Sequence, residues 1–152
     1  MLFLLGHGMD FAELVNESYM KVDPRKYGLG PDERLGRMLK SIPISKTIFT
    51  NNPSEFAAKI LEILEVSDCF EMIISPRELD FTFKPDHGAF SRSFGITGYA
   101  PRETIFIDDA IASVIAAKKE GMVGILVGSK DVTVDNSIED IHGLAHLLRI
   151  AE

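Results

Sequence analysis

A short apolar run, Thr104-Ile105-Phe106-Ile107, ends in two adjacent carboxylates, Asp108 and Asp109, and this junction constrains the fold more than any other stretch. A continuous β-branched and aromatic run of this length, bounded by polar residues, predicts a strand buried on both faces of a parallel sheet. The carboxylates then stand at its C-terminal end, where open α/β sheets bind their ligands. Ala110 to Lys119 predicts a helix, ended by Gly121. Two carboxylates held together repel unless a proton or a cation intervenes, and oxygen ligands at a strand tip suit Mg2+. The plainer reading, an Asp that caps the following helix, explains one carboxylate and leaves the other over.

The same unit recurs from Lys46 onward. Lys46 to Thr50 predicts a strand, followed by Asn52 as a cap, Pro53 at the first helical position and Glu55 in a capping-box-like place. That helix carries Phe56, Ile60, Ile63 and Leu64 on one face and ends near Val66. Glu71 to Ser75 predicts a second strand, Arg77 to Phe83 a loop, and Pro85 the opening of a helix from Asp86 to about Phe94. Gly95 to Arg102 reads as a loop, Met122 to Gly128 as the last strand, and the tail from about Ser137 as a helix with Ile138, Ile141, Leu144, Ala145 and Leu148 inward. Alternating strands and helices predict an α/β fold with a parallel sheet and crossover helices. Thr50, Lys84 and the Asp108-Asp109 pair then meet on one rim. Taken singly, Thr50 reads as a helix-entry residue and Lys84 as a solvated one.

Before Lys46 the signals are weaker. Met1 to Leu5 reads as a short strand or a helix end, broken by Gly6-His7-Gly8. Asp10 opens a helix with Phe11, Leu14, Val15 and Tyr19 on one face, and Asp32 to Lys40 a short helix carrying Leu35, Met38 and Leu39. Gly28-Leu29-Gly30 lacks the third glycine and the preceding strand of a dinucleotide fingerprint. His142 and His146, four apart, read as ordinary helix residues, and His7 and His87 as loop residues without a partner.

A formal net charge of -7 argues against nonspecific binding to nucleic acid or an anionic membrane, but not against an anionic substrate at a site with local positive charge. The single cysteine, Cys69, excludes an internal disulfide and reads as a small half-buried hydrophobe. No stretch has the length of a membrane span, and Met1 to Leu5 lacks the basic flank of a signal sequence, so the expected compartment is the cytoplasm.

Phe49-Thr50-Asn51, Lys84-Pro85 and Ile107-Asp108-Asp109, in this order, resemble the second, third and fourth motifs of the haloacid dehalogenase superfamily of phosphotransferases. The likeness runs from about Leu5 to Gly128 and is closest to the pyrimidine 5′-nucleotidase branch, whose helical cap is matched by Asp10 to Tyr19 and Pro31-Asp32-Glu33-Arg34-Leu35. The resemblance implies a Rossmann-like parallel sheet flanked by helices, with residues 1–40 as part of a helical cap and 41–152 as the core. It implies that Thr50 hydrogen-bonds a transferring phosphoryl group and that Lys84 neutralises nucleophile and phosphate. Asn51 and Asn52 would contact a phosphorylated small-molecule substrate, possibly a nucleotide in the full enzyme, and Asp108 with Asp109 would hold Mg2+.

One departure is large. The family's first motif, Asp-x-Asp, supplies the nucleophile and the general acid/base, and no Asp-x-Asp occurs in this sequence. By the resemblance, the chain starts inside the cap, the Mg2+ site is weak or incomplete, and the expected state is an inactive phosphatase. The alternative is a noncatalytic binding protein on the same scaffold. A receiver-like signalling domain ranks lower, because receivers place the acid pair first in sequence. The missing first-motif strand would leave a gap between the Thr50 and Asp108 strands. Direct pairing of those strands, entry of Met1 to Leu5, or a strand from a second molecule in a homodimer would close it, and Met1 to Leu5 is the favoured filler. Ser113 stands where relatives often carry Asn.

Overall fold

The computed structural model describes residues 15–148. Its first segment is a π turn at Val15–Tyr19 and a 3-10 turn at Pro24–Tyr27. Helix α1 (Glu33–Ser41) follows, with the Asp32 carboxylate accepting from Leu35 N at 2.8 Å as its cap. Then come β1 (Thr47–Phe49), α2 (Ser54–Leu64), β2 (Met72–Ile74), α3 (His87–Thr97), β3 (Ile105–Asp108), α4 (Ile111–Lys119), β4 (Val123–Val127), β5 (Asn136–Ile138) and the short α5 (Leu144–Leu147). All strand pairs are parallel, so the predicted α/β class holds.

The sheet is in two pieces. β1 pairs with β2, and β3 with β4 and β5. Direct pairing of β1 with β3 is therefore not what the described residues do, and no described strand lies between them. The pieces nevertheless share both faces. Phe49 of β1 and Phe106 of β3 join one apolar cluster around the fully buried Phe90 of α3. Ile48 of β1 and Ile105 and Ile107 of β3 pack on the other cluster, with Met38, Leu39, Leu61 and Ile125 at its centre. The Met1 to Leu5 reading and the first half of the Asp10 helix lie outside the described residues.

Three other expectations change. The tail begins as a strand, since Asn136–Ile138 pairs with β4, and helix appears only after a 3-10 turn at Ile141–Gly143. The open edge of β4 supplies hydrogen-bond partners that a three-residue polar stretch could not signal by periodicity. Ile138, Ile141, Leu144, Ala145 and Leu148 still face the core. α3 runs three residues beyond Phe94, to its left-handed cap at Gly98 (φ 74°). His87 is the first residue of that helix and has a partner, Glu120 at 2.7 Å; the hydrogen bond and the charge of Glu120 raise the His87 pKa. His142 likewise meets Asp32, at 3.3 Å.

β4 and α4 lie close together at Gly124. A Cβ there would lie 2.8 Å from Val114 Cγ1 and 2.9 Å from Lys118 Cγ, with the Val114 carbonyl at 3.3 Å. Gly124→Ala should cost about 1–3 kcal/mol through overpacking, read as a lower urea midpoint. An unchanged midpoint would mean that α4 retreats from the sheet freely.

Candidate functional site

The site lies where the C-terminal ends of β1 and β3 face each other. Beyond β1, Thr50 N donates to Ile74 O at 2.9 Å, which continues the ladder to β2. The Thr50 hydroxyl accepts from Asn52 N at 3.0 Å and so closes the turn into α2. This overturns the Asn52 cap: α2 starts at Ser54 with Pro53 as its N-cap residue and no side-chain cap bond. Asn52 is exposed; its amide is held by Thr50.

Asn51 has a role that its residue type alone could not reveal. Its amide group donates to Lys84 O and accepts from Lys84 N, both at 2.9 Å. This two-way bond ties the turn after β1 to the backbone of Lys84, 33 residues away, and it sets where the ammonium projects. The loop leading to Lys84 is anchored by the fully buried Leu79 and turns through Asp80 and Phe81, both at φ 55°. At its start, Glu78 accepts from Ser75 N at 2.8 Å and from the Ser75 hydroxyl at 2.6 Å. Burial acts to raise the Glu78 carboxyl, but these bonds outweigh it and hold the pKa below the ordinary range. The Ser75–Glu78 pair was missed in the sequence, where a serine after a strand with an acid three residues on is the only signal.

Lys84 is the centre of the arrangement. Its side chain is 9% exposed. Nζ donates to Phe49 O at 2.7 Å and to Asp108 Oδ2 at 2.5 Å. It also sits 5.0 Å from the Phe49 ring centroid and 5.1 Å from that of Phe106, so the rings offer the cation their negative faces. The ammonium thus bridges the two sheet pieces. Asp108, 10% exposed on its side chain, accepts from Ala110 N at 2.8 Å through its other oxygen. That is the plainer role of a helix-entry Asp, combined with the ion pair. The structure therefore brings Thr50, Asn51, Lys84 and Asp108 together. Asp109 is exposed and makes no hydrogen bond or ion pair among the described residues.

A resident Mg2+ needs near-octahedral oxygen coordination. Both Asp108 oxygens are engaged, one of them by an ammonium, and Asp109 is the second carboxylate. Among the described residues no group of three or more His, Cys, Asp or Glu is placed to hold a metal ion. These residues alone do not fit a complete Mg2+ site. What the arrangement offers is a third Nζ–H of Lys84 and the Thr50 hydroxyl, donors suited to an anion. The carboxylate placed against these donors, Asp108, has one oxygen on Lys84 Nζ and the other on Ala110 N.

No helix among the described residues is long and apolar enough to cross a membrane. The sequence profile of the haloacid dehalogenase-like hydrolases matches residues 33–127. A Pseudomonas putida protein named "Probable phosphoglycolate phosphatase" is 28% identical over 116 residues, covering 71% of this chain and 46% of that protein. A second P. putida protein, named phosphoglycolate phosphatase, is 29% identical over 94 residues, covering 60% of this chain and 34% of the relative. The chain thus spans less than half the length of these curated relatives. Among solved structures, the L-2-haloacid dehalogenase of Xanthobacter autotrophicus superposes with a TM-score of 0.66 at 17% identity, over 82% of this chain and 70% of that one. A phosphatase from Thermococcus onnurineus gives 0.64 at 21% identity, over 91% and 64%. At such identities the likeness is one of fold.

Proposed function

The chain belongs to the haloacid dehalogenase-like hydrolase family, and from that premise we propose that Thr50, Lys84 and Asp108 form the phosphate-side half of a phosphomonoester hydrolase site, one that binds phosphate but does not turn it over in this chain. The observation that supports this reading is the nearly buried Lys84–Asp108 pair joining two strand tips, with the Thr50 hydroxyl beside it. Lys84 neutralises the phosphate through its remaining N–H, and Thr50 donates a second hydrogen bond. Asp108 holds the ammonium in place and cannot attack while its oxygens serve Lys84 and Ala110. No Asp-x-Asp is present in the sequence to supply a nucleophile, so no aspartyl-phosphate forms.

The substrate class in this reading is a small phosphomonoester. The names of the P. putida relatives point to phosphoglycolate, and the motif likeness around Phe49-Thr50-Asn51 points to a nucleoside monophosphate. Calorimetric titration with inorganic phosphate, 2-phosphoglycolate and UMP tests the site and separates the two. Two charge-assisted or hydroxyl hydrogen bonds support a Kd on the order of 1 mM, lost in Lys84→Met. Silence with all three ligands would remove the phosphate reading and leave a noncatalytic scaffold of another specificity.

A divalent cation enters only as a weak ligand of Asp108 and Asp109. Titration with Mg2+ should raise the melting temperature of the wild type and leave that of Asp108→Asn unchanged. Equal responses of the two proteins would take the metal out of the account.

A further inference from the structure

Lys84 lies in the turn before α3, outside any helix or strand, so no ladder fixes its backbone. Asn51 does so instead. Its side-chain carbonyl accepts from Lys84 N and its amide N–H donates to Lys84 O, both at 2.9 Å. These are both of the main-chain groups of Lys84, and neither has another partner among the described residues. A contact at two points sets the direction of the Lys84 backbone as well as its place.

The far end of the lysine is held by the same turn. Nζ donates to Phe49 O at 2.7 Å, and Phe49 and Asn51 flank Thr50. A closed ring results. It runs from the Lys84 backbone along the stem to Nζ, across to Phe49 O, through Thr50 to Asn51, and back over the amide bridge to Lys84. Thr50 is itself fixed: its hydroxyl accepts from Asn52 N at 3.0 Å and its N–H donates to Ile74 O at 2.9 Å. The ring therefore sets the Lys84 ammonium and the Thr50 hydroxyl relative to each other, and Asp108 adds a further hold on Nζ from the other sheet piece. Cutting the ring at Asn51 would leave Lys84 held at Nζ alone, on a flexible four-carbon stem.

We infer that Asn51 is a positioning residue of the anion site. It acts through Lys84, holding the ammonium and the Thr50 hydroxyl in the arrangement that a phosphate meets. Its carbonyl and one of its amide hydrogens are engaged by Lys84 before any ligand arrives, so its effect is preorganisation of the donors. The inference takes its ligand from the phosphate reading above, while the ring stands without it. Asn51 is exposed, and exposure alone would mark it as dispensable. Its bonds to a residue 33 positions away argue otherwise.

The Lys84 ammonium reports the positioning with no ligand present. In a chain carrying isotope-labelled lysine, the wild type should show a slowly exchanging ammonium signal at low temperature, assigned to Lys84 by its disappearance in Lys84→Arg. Asn51→Ala should speed that exchange by about tenfold or more and raise the Kd for inorganic phosphate by about five- to tenfold. Should Asn51→Ala fail to fold, Asn51→Asp, which retains the acceptor and loses the donor, should speed the exchange to a smaller extent. Leu144→Ala, which opens a cavity in the buried cluster around α5, controls for lost stability, and its Lys84 signal should match that of the wild type. Fast exchange in the wild type, or an unchanged rate in both Asn51 variants, would overturn the inference. So would equal acceleration in Leu144→Ala, which would leave Asn51 a stability residue. A loss of phosphate affinity with the ammonium signal unmoved would overturn it too, by making Asn51 a direct ligand. If the wild type binds no phosphate, the phosphate reading fails alone, and the exchange rates still decide the role of Asn51.

Discussion

Lys84→Met should lower stability by about 3–5 kcal/mol, the largest effect expected of any polar substitution in this chain, because it leaves Asp108 nearly buried without its cation. The side chains of this pair are 9% and 10% exposed, so solvent screens the loss poorly. The ammonium also satisfies the Phe49 carbonyl and lies against two aromatic rings, and methionine replaces the stem without replacing those bonds. The double variant Lys84→Met/Asp108→Leu should recover much of the loss, since removing both charges leaves neither unpaired. Urea denaturation of the four proteins in the cycle gives the coupling directly. A single-variant loss below about 1 kcal/mol, the range of exposed pairs, would show that water reaches the pair and that it does not hold the sheet pieces together.

Phe90→Ala should cost a similar amount, about 3–5 kcal/mol, for an apolar reason. Phe90 is fully buried and meets Phe106 at 5.3 Å and Phe49 at 5.5 Å, both edge to face. It joins rings of both sheet pieces, so its removal opens a cavity where no ladder bonds β1 to β3. Phe90→Leu should recover more than half of the loss. The effects of Phe90→Ala and Lys84→Met should not add, because Lys84 rests on the two rings that Phe90 supports. Strict additivity would mean that the ring cluster and the ion pair act independently.

Much of this arrangement was readable from residue order. β1, β2, β3 and β4 each appear as a short apolar run closed by a breaker or a polar pair, and Thr50, Lys84 and Asp108 follow from their places after such runs. The failures have definite causes. Asn52 carries the right chemistry for a cap, but the Thr50 hydroxyl takes its N–H and the helix opens one residue later, from Pro53. Asn136–Ile138 has no strand pattern of its own and becomes a strand by pairing with β4. Asn51 and Lys84 exchange two hydrogen bonds across 33 residues, and His87 finds Glu120 at the same separation. Nothing local marks either pair. The division of the sheet is legible only in part: the sequence contains no Asp-x-Asp, while Lys84 reaches both strand tips through contacts 35 and 24 residues away that nothing local marks.

The account rests on a phosphate frame without a nucleophile, and turnover tests it most directly. The pure 152-residue chain, incubated with p-nitrophenyl phosphate and Mg2+, should release no p-nitrophenol above the buffer blank, and Asp108→Asn should behave identically. Release by the wild type that disappears in Asp108→Asn would contradict the account and place the attacking group within this chain.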